Sequence, residues 1–172
     1  MKRSAALAAL LLLGACRSLQ PAGPSAVAEL QPTKGSSTTG TITFTQSGDK
    51  VRVAGDVRGL RPDQEHGFHI HEAGDCSSGD GMSTKGHFNP QGKPHAHPST
   101  SERHAGDMPA LKADAYGNAR VDATLDIISV NAGPTSVIGR GLIVHAAPDD
   151  YKTQPTGNAG ARLACAIINR KS

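Results

Sequence analysis

Half of the chain's eight histidines lie in one 22-residue stretch, GHFNPQGKPHAHPSTSERHAGD, which runs from Gly86 to Asp107. Three prolines and three glycines argue against a helix, and the stretch is too long for a hairpin turn, so we expect an irregular loop. His87, His95 and His104 follow one another at intervals of eight and nine residues, and Asp107 comes three residues later. Three imidazoles and a carboxylate suit tetrahedral zinc, and a site made wholly of side chains would be structural and would hold this loop in place.

A second group of histidines lies on predicted strands. Side chains alternate along a strand, so His69 and His71 project from one face, whereas His66 faces the other way. His145 ends the apolar stretch GLIVH, and adjacent strands could bring it beside the first pair. Several imidazoles together suit copper as well as zinc. Each of these residues could by itself be a surface histidine, but six imidazoles and a carboxylate as a set indicate a metal centre.

The segments that must position these side chains have the sequence pattern of strands. TITFTQ (41–46) and KVRVAGDV (50–57) alternate apolar and polar residues, and the SGD between them predicts a hairpin turn. Three connections, roughly 73–109, 127–136 and 147–158, are too long for hairpins and are typical of functional loops. The pattern indicates an all-β, antiparallel β-sandwich or flattened β-barrel. Further strands are predicted over 66–72, 118–125, 139–146 and 161–169.

The first residues have the layout of an export signal. Lys2 and Arg3 precede an apolar run that is too short to span a bilayer, and LGAC follows it. These small residues resemble a bacterial lipobox, with cleavage before Cys16 and lipid attached to it; a plain signal peptide that happens to contain a cysteine is the alternative. Residues 17–38 are rich in Ser, Pro, Thr, Gly and Ala, which is typical of a tether. The predicted divisions are a signal peptide over 1–15, a lipidated N-terminus and flexible tether over 16–38, and a folded domain over 39–172.

Charge and cysteine content narrow the class of protein. Cleavage of residues 1–15 removes Lys2 and Arg3 and lowers the net charge from +3 to +1, which argues against a nucleic-acid surface. Three cysteines are an odd number for an exported protein. If Cys16 carries lipid, Cys76 and Cys165 remain as a pair in a compartment that permits disulfides, and two free thiols are the alternative.

Five motifs occur together in one order: GFHIHEAGDC, GHFNP, ERHAGD, IGRGLIVHA and GNAGARLACAII. Their sequence, spread over about 40–168, resembles that of copper–zinc superoxide dismutase, in a bacterial exported, lipoprotein-type form. The resemblance implies a Greek-key antiparallel sandwich, or flattened eight-stranded β-barrel, with long metal-binding and electrostatic loops. It also implies dismutation of the superoxide anion to oxygen and hydrogen peroxide with one copper and one zinc ion per subunit.

Carried over residue by residue, the resemblance implies a shared metal ligand, His87, which bridges the two metals as an imidazolate and supplies a proton during turnover. Arg162 takes the place of the arginine beside copper that attracts superoxide. Asp149 falls where a carboxylate links a copper-ligand histidine to a zinc-ligand histidine, and Asp150 is the alternative if the register slips by one. The family's internal disulfide corresponds to Cys76 and Cys165. The implied copper ligands are His69, His71, His87 and His145, and the implied zinc ligands are His87, His95, His104 and Asp107.

The chain departs from the eukaryotic pattern of the family in three places, one of which is a longer, glycine-rich loop between Cys76 and His87 that is a trait of bacterial members. The loop over 146–156 is short and lacks the acidic pair and lysine before TGNAG, so Lys152 is only a candidate for guiding superoxide. His97 has no family role, although it could replace His95 as a zinc ligand if the loop shifted. Other interpretations are a non-catalytic periplasmic copper- or zinc-binding module, a copper-only dismutase, and a zinc hydrolase. We expect a cell-envelope enzyme that meets the membrane only through its lipid anchor and is a monomer or homodimer.

Overall fold

The computed structural model of the chain describes residues 23–172. The predicted signal peptide over 1–15 and the predicted lipidation site Cys16 lie outside the described residues. Within 23–172 there are ten strands and one 3-10 turn over Met82–Thr84, and no helix there is long and apolar enough to cross a membrane. The strands are β1 Ser25–Pro32, β2 Thr39–Ser47, β3 Lys50–Arg58, β4 Glu65–His66, β5 Phe68–His71, β6 Leu111–Lys112, β7 Ala119–Leu125, β8 Gly141–His145, β9 Arg162–Ile167 and β10 Asn169–Arg170.

Eight of the strands form one curled antiparallel sheet in the order β5-β8-β9-β1-β2-β3-β7, with β10 paired to β1. Strands β4 and β6 form a separate two-stranded sheet. The predicted hairpin is present as β2 and β3, where Phe44 pairs with Val53 and both side chains are buried. Apolar residues alternate along these strands because one face of the sheet lies against the core and the other meets water. The predicted all-β antiparallel fold is confirmed.

The prediction of a flexible tether is wrong for part of its range. Strand β1, Ser25–Pro32, lies in the middle of the large sheet, between β2 and β9. Ala26, Ala28 and Leu30 alternate with less buried residues and are almost inaccessible to solvent. Alanine is a weak strand former, so the composition of this segment resembles a linker; its order comes from pairing with strands distant in sequence. The folded domain therefore begins before residue 39.

Strands β5, β8 and β9 place the chemistry-bearing residues side by side. His69 pairs with Ile143 of β8, and His145 at the end of β8 pairs with Arg162 at the start of β9. The ladder is irregular between Val144 and His145, which re-aims the end of β8. Histidines from two strands and an arginine from a third are thus brought to one region of the sheet.

Candidate metal centre

The histidine-rich loop returns alongside β5. The Phe88 N–H donates to the Ile70 carbonyl, the Ile70 N–H donates to the Gly106 carbonyl, and His71 and His87 form an isolated antiparallel bridge. A Cβ atom at Gly106 would lie 2.2 Å from the Ile70 carbonyl oxygen, so only glycine permits this approach. The loop therefore lies along the edge of β5, which places the histidines of the strand next to those of the loop.

Four buried histidines form the first cluster: His69, His71, His87 and His145. Their ligand atoms lie within 4.8 Å of one another. Three of them use one ring nitrogen to hold the ring in place: His69 Nε2 donates to Asp149, His71 Nδ1 to the Lys85 carbonyl and His145 Nδ1 to the Gly160 carbonyl.

The other ring nitrogens of this cluster are buried and lack hydrogen-bond partners. They are His69 Nδ1, His71 Nε2, His87 Nε2 and His145 Nε2. A buried unpartnered polar atom costs free energy, and four of them aimed together are explained by a metal that accepts four nitrogen lone pairs. The donor set is all imidazole, which suits copper. The residues present therefore fit a copper ion.

The second cluster consists of His87, His95, His104 and Asp107. Asp107 Oδ1 lies 2.9 Å from His87 Nδ1, 2.9 Å from His95 Nδ1 and 3.5 Å from His104 Nδ1. His104 Nδ1 lies 3.4 Å from His87 Nδ1. A tetrahedron with bonds of about 2.0 Å to zinc has edges of about 3.3 Å, and these four distances are close to that length. The three imidazoles and the carboxylate therefore fit a zinc ion.

His87 belongs to both clusters through different nitrogens. Its Nδ1 faces Asp107, and its buried Nε2 faces the first cluster. The ring centroids of His69 and His87 are 4.0 Å apart, so the two groups of ligands are adjacent. The arrangement has the geometry that a bridging imidazole needs.

Asp149 links the two clusters through contacts with one histidine of each. Its Oδ2 accepts from His69 Nε2 at 2.7 Å, and its Oδ1 lies 2.9 Å from His95 Nε2. The alternative, Asp150, is exposed and instead accepts hydrogen bonds from Lys152 and Thr153 in its own turn. Asp149, rather than Asp150, therefore makes the contacts that join the two clusters.

Charge and burial set the protonation of these histidines. Burial lowers the pKa of His145 to about 3, with smaller effects from neighbouring positive groups that include Arg162. Burial also lowers the pKa of His87 to about 4. Burial opposes the charged form of His95 as well, but the carboxylates of Asp107 and Asp149 outweigh it and raise the pKa of His95 to about 9. Burial lowers the pKa values of His69 and His71 as well, so the first cluster is neutral at pH 7, the form in which imidazole binds metals.

Arg162 is half-buried beside the first cluster, and its guanidinium is held by a loop that precedes His87. Nη1 donates to the Gly81 carbonyl and to Thr84 Oγ1 at 2.8 Å, and Nη2 donates to the Lys85 carbonyl at 2.7 Å. Thr84 was not singled out by the sequence; its hydroxyl is fully buried, and only the fold shows that it faces this arginine.

The disulfide between Cys76 and Cys165 is present, with Cα atoms 5.9 Å apart. It joins β9, which carries Arg162, to the start of the loop that holds the guanidinium. The predicted cysteine pairing is confirmed. One covalent bond thus fixes both sides of the contact that positions Arg162.

Three of the residues discussed from the sequence lie outside both clusters. His97 is exposed, with Nδ1 2.8 Å from Ser99 Oγ, and its ring lies edge-on against Tyr151. Lys152 is exposed on the loop over 147–158. His66 is buried, but its Nδ1 donates to the His145 carbonyl and it belongs to neither cluster.

Gln154 contacts the backbone of His95 through its side-chain amide. An isolated glutamine has no sequence pattern that marks it as a contact of the site.

Comparison with known proteins agrees with this geometry. The family model described as copper/zinc superoxide dismutase matches residues 38–168. Superoxide dismutase [Cu-Zn] 2 of Aquifex aeolicus (strain VF5) is 41% identical over 128 residues, which cover 72% of this chain and 74% of that protein. Superoxide dismutase [Cu-Zn] of Paramecium bursaria Chlorella virus 1 is 40% identical over 151 residues, or 84% of this chain and 77% of the relative.

A solved structure is similar to this chain in both fold and sequence. The crystal structure of the clock protein EA4 superposes with a TM-score of 0.77 at 43% identity, covering 84% of this chain and 93% of that chain. The family match extends over most of the chain, and both metal clusters lie inside it. The chain belongs to the copper/zinc superoxide dismutase family and is an enzyme that uses copper and zinc to convert superoxide to oxygen and hydrogen peroxide.

Proposed function

We propose a specific division of the two metals between the two clusters. The observation that carries it is the set of four buried, unpartnered imidazole nitrogens, beside a second set of three histidines and one aspartate whose ligand atoms lie within 4.8 Å of one another. One copper and one zinc ion per subunit follow from the two donor sets. Copper is held by His69, His71, His87 and His145, and zinc is held by His87, His95, His104 and Asp107.

When bound, copper supplies the one-electron exchange that superoxide dismutation requires, which zinc cannot supply. The chain's own residues do the rest. Neutral imidazoles hold the metal without adding negative charge that would repel an anionic substrate. His87 Nε2 is the atom at which a proton can be held next to the substrate, because Nδ1 of the same ring stays directed at the second cluster. Arg162 provides a fixed positive charge that attracts superoxide.

Zinc has a structural role in this proposal. Its four ligands come from the stretch between residues 86 and 107, which is rich in proline and glycine and has little regular secondary structure. A metal joined to four side chains replaces the apolar core that such a loop lacks. A zinc ion held by these residues would fix the Nδ1 side of the His87 ring, and Nε2 would stay directed at the first cluster.

The division of metals is tested by truncating one ligand from each cluster. We expect His145→Ala to lose copper, keep zinc and lose turnover, because this residue contacts only the first cluster. We expect His104→Ala to lose zinc preferentially and to loosen the loop. The measurement is copper and zinc per chain by atomic emission, together with superoxide consumption by residues 23–172. Loss of zinc but not copper from His145→Ala would contradict the division. Two bound metals without turnover in the unaltered chain would favour the alternative of a non-catalytic metal-binding module.

We also propose that the enzyme is exported and lipid-anchored in the bacterial cell envelope, and acts there as a monomer or homodimer. Support comes from LGAC at the end of the apolar N-terminal run and from the Cys76–Cys165 disulfide, since disulfides persist in oxidising compartments. In bacterial cells that express the full chain, we expect the protein in the membrane fraction and Cys16→Ser largely in the soluble periplasmic fraction. Equal partition of the two chains between the fractions would contradict the anchor.

A further inference from the structure

The side-chain amide of Gln154 makes two hydrogen bonds to the backbone of His95, a residue of the proposed zinc site. Gln154 Oε1 accepts a hydrogen bond from the His95 N–H at 2.8 Å, and Gln154 Nε2 donates to the His95 carbonyl at 2.8 Å. This paired contact satisfies both backbone polar groups of His95, as a neighbouring strand would do. His95 is outside any strand, with Pro94 directly before it and Pro98 three residues later. The amide of Gln154 therefore replaces the sheet pairing that this segment lacks.

The same loop also holds the side chain of His95. Asp149 contacts His95 Nε2 at 2.9 Å, which leaves Nδ1 facing Asp107. Gly157 lies against both groups: a Cβ atom there would come within 1.8 Å of Asp149 Oδ1 and 2.6 Å of His95 Nε2. The loop over 147–158 thus fixes His95 at its backbone and at the far end of its ring.

The geometry points to Gln154 as a positioning residue that keeps His95 in place to hold zinc. This inference rests on the proposed zinc site. A ring held only at Nε2 can swing about that contact, whereas a ring held also through its backbone keeps Nδ1 at the corner of the tetrahedron. Residues that orient a metal ligand typically change metal affinity 10- to 100-fold when they are substituted. In this chain the short loop over 147–158, where the family has residues that guide the substrate, has the further role of retaining zinc.

The test is the rate at which zinc passes from the fully metallated protein to the chelator 4-(2-pyridylazo)resorcinol at pH 7. We expect Gln154→Ala to lose zinc about tenfold faster than the unaltered chain. Gln154→Glu keeps the acceptor for the His95 N–H but places an oxygen against the His95 carbonyl, so this variant should also lose zinc faster. It provides a second test of the inference if Gln154→Ala folds poorly. Gln91→Ala is the matched control, because Gln91 is exposed in the same histidine-rich stretch and does not contact His95 through a hydrogen bond within residues 23–172. It should lose zinc at the unaltered rate.

A purely structural role for Gln154 gives different results. If the amide only fastens one loop to another, Gln154→Ala would lower stability to urea equally in metal-free and zinc-loaded protein, and zinc would leave at the rate seen in Gln91→Ala. That pair of results would overturn the inference. A positioning role requires a larger loss of stability in the zinc-loaded form, and an altered visible absorption spectrum when cobalt(II) replaces zinc. If the unaltered chain retains no zinc, the proposed zinc site itself is wrong, and this inference is overturned with it.

Discussion

Arg162→Ala is expected to lower the second-order rate constant for superoxide consumption about tenfold at low ionic strength, with copper and zinc content unchanged. Superoxide is a small anion that reacts near the encounter limit, and a fixed positive charge beside the site raises the on-rate of an anion by 10- to 1000-fold depending on salt. Arg162 lies opposite His145 in the ladder between β8 and β9, and three acceptors hold its guanidinium in place. Arg162→Ala should therefore also show a flatter dependence of this rate constant on salt concentration.

Two comparison variants separate attraction of the substrate from loss of a structural contact. Arg162→Lys keeps the charge but not the planar guanidinium that donates to Gly81, Thr84 and Lys85. Its rate constant should therefore lie between those of the unaltered chain and Arg162→Ala. Arg58→Ala removes the same charge from an exposed position on β3, which is separated from β9 by β1 and β2 in the sheet. It should react at nearly the unaltered rate. Identical rates and identical salt dependence in Arg162→Ala and the unaltered chain would rule out the attraction of superoxide by this residue.

Removal of the disulfide should produce the largest loss of stability. We expect Cys76→Ser with Cys165→Ser to lower the free energy of unfolding by about 2–5 kcal/mol, because the bond closes a loop with a sequence separation of 89 and restricts the unfolded chain. For a domain of this size, a loss of about 4 kcal/mol lowers the melting temperature by about 8–16 °C. Urea and thermal unfolding of residues 23–172 measure both values.

The disulfide should also affect activity, through Arg162. Cys76 begins the loop whose carbonyls at Gly81 and Lys85 hold the guanidinium, and Cys165 lies on the strand that carries it. The double serine variant should therefore lose activity at a temperature where it is still folded, and its rate should approach that of Arg162→Ala. Ser78→Ala is a control in the same loop, since Ser78 is exposed and contacts Ser83 rather than Arg162. A stable double variant with full activity would show that the disulfide does not position Arg162.

The candidate metal ligands could be named from the sequence because each metal imposes narrow chemical demands and because their motifs resemble those of a known family. Only a few residue types bind zinc or copper, and the stretch from His87 to Asp107 concentrates them at a spacing that chance seldom produces. The strands β2, β3 and β7 were equally readable, since a half-buried strand alternates apolar and polar residues. Strand β1 was not, because Ala26 and Ala28 are strand residues only by virtue of the strands on either side.

Contacts that depend on the path of a loop were also out of reach. Gln154 and His95 are 59 residues apart, and Thr84 and Arg162 are 78 apart, so their hydrogen bonds depend on where two irregular segments meet. A glutamine or a threonine in a loop has no periodicity or spacing that marks it as a partner. The resemblance favours Asp149 over Asp150, and the turn shows directly that the carboxylate of Asp149 faces inward.

The sequence by itself determined the family, the antiparallel β architecture, the residues able to bind copper and zinc, and the cysteines able to pair. These depend on residue types and on local period, which a chain carries whether or not it is folded. The tertiary structure decided which ring nitrogens of the histidines are free to bind a metal, and which neutral side chains hold Arg162 and His95. Hydrogen bonds are short and directional, so these choices exist only when segments distant in sequence are packed together.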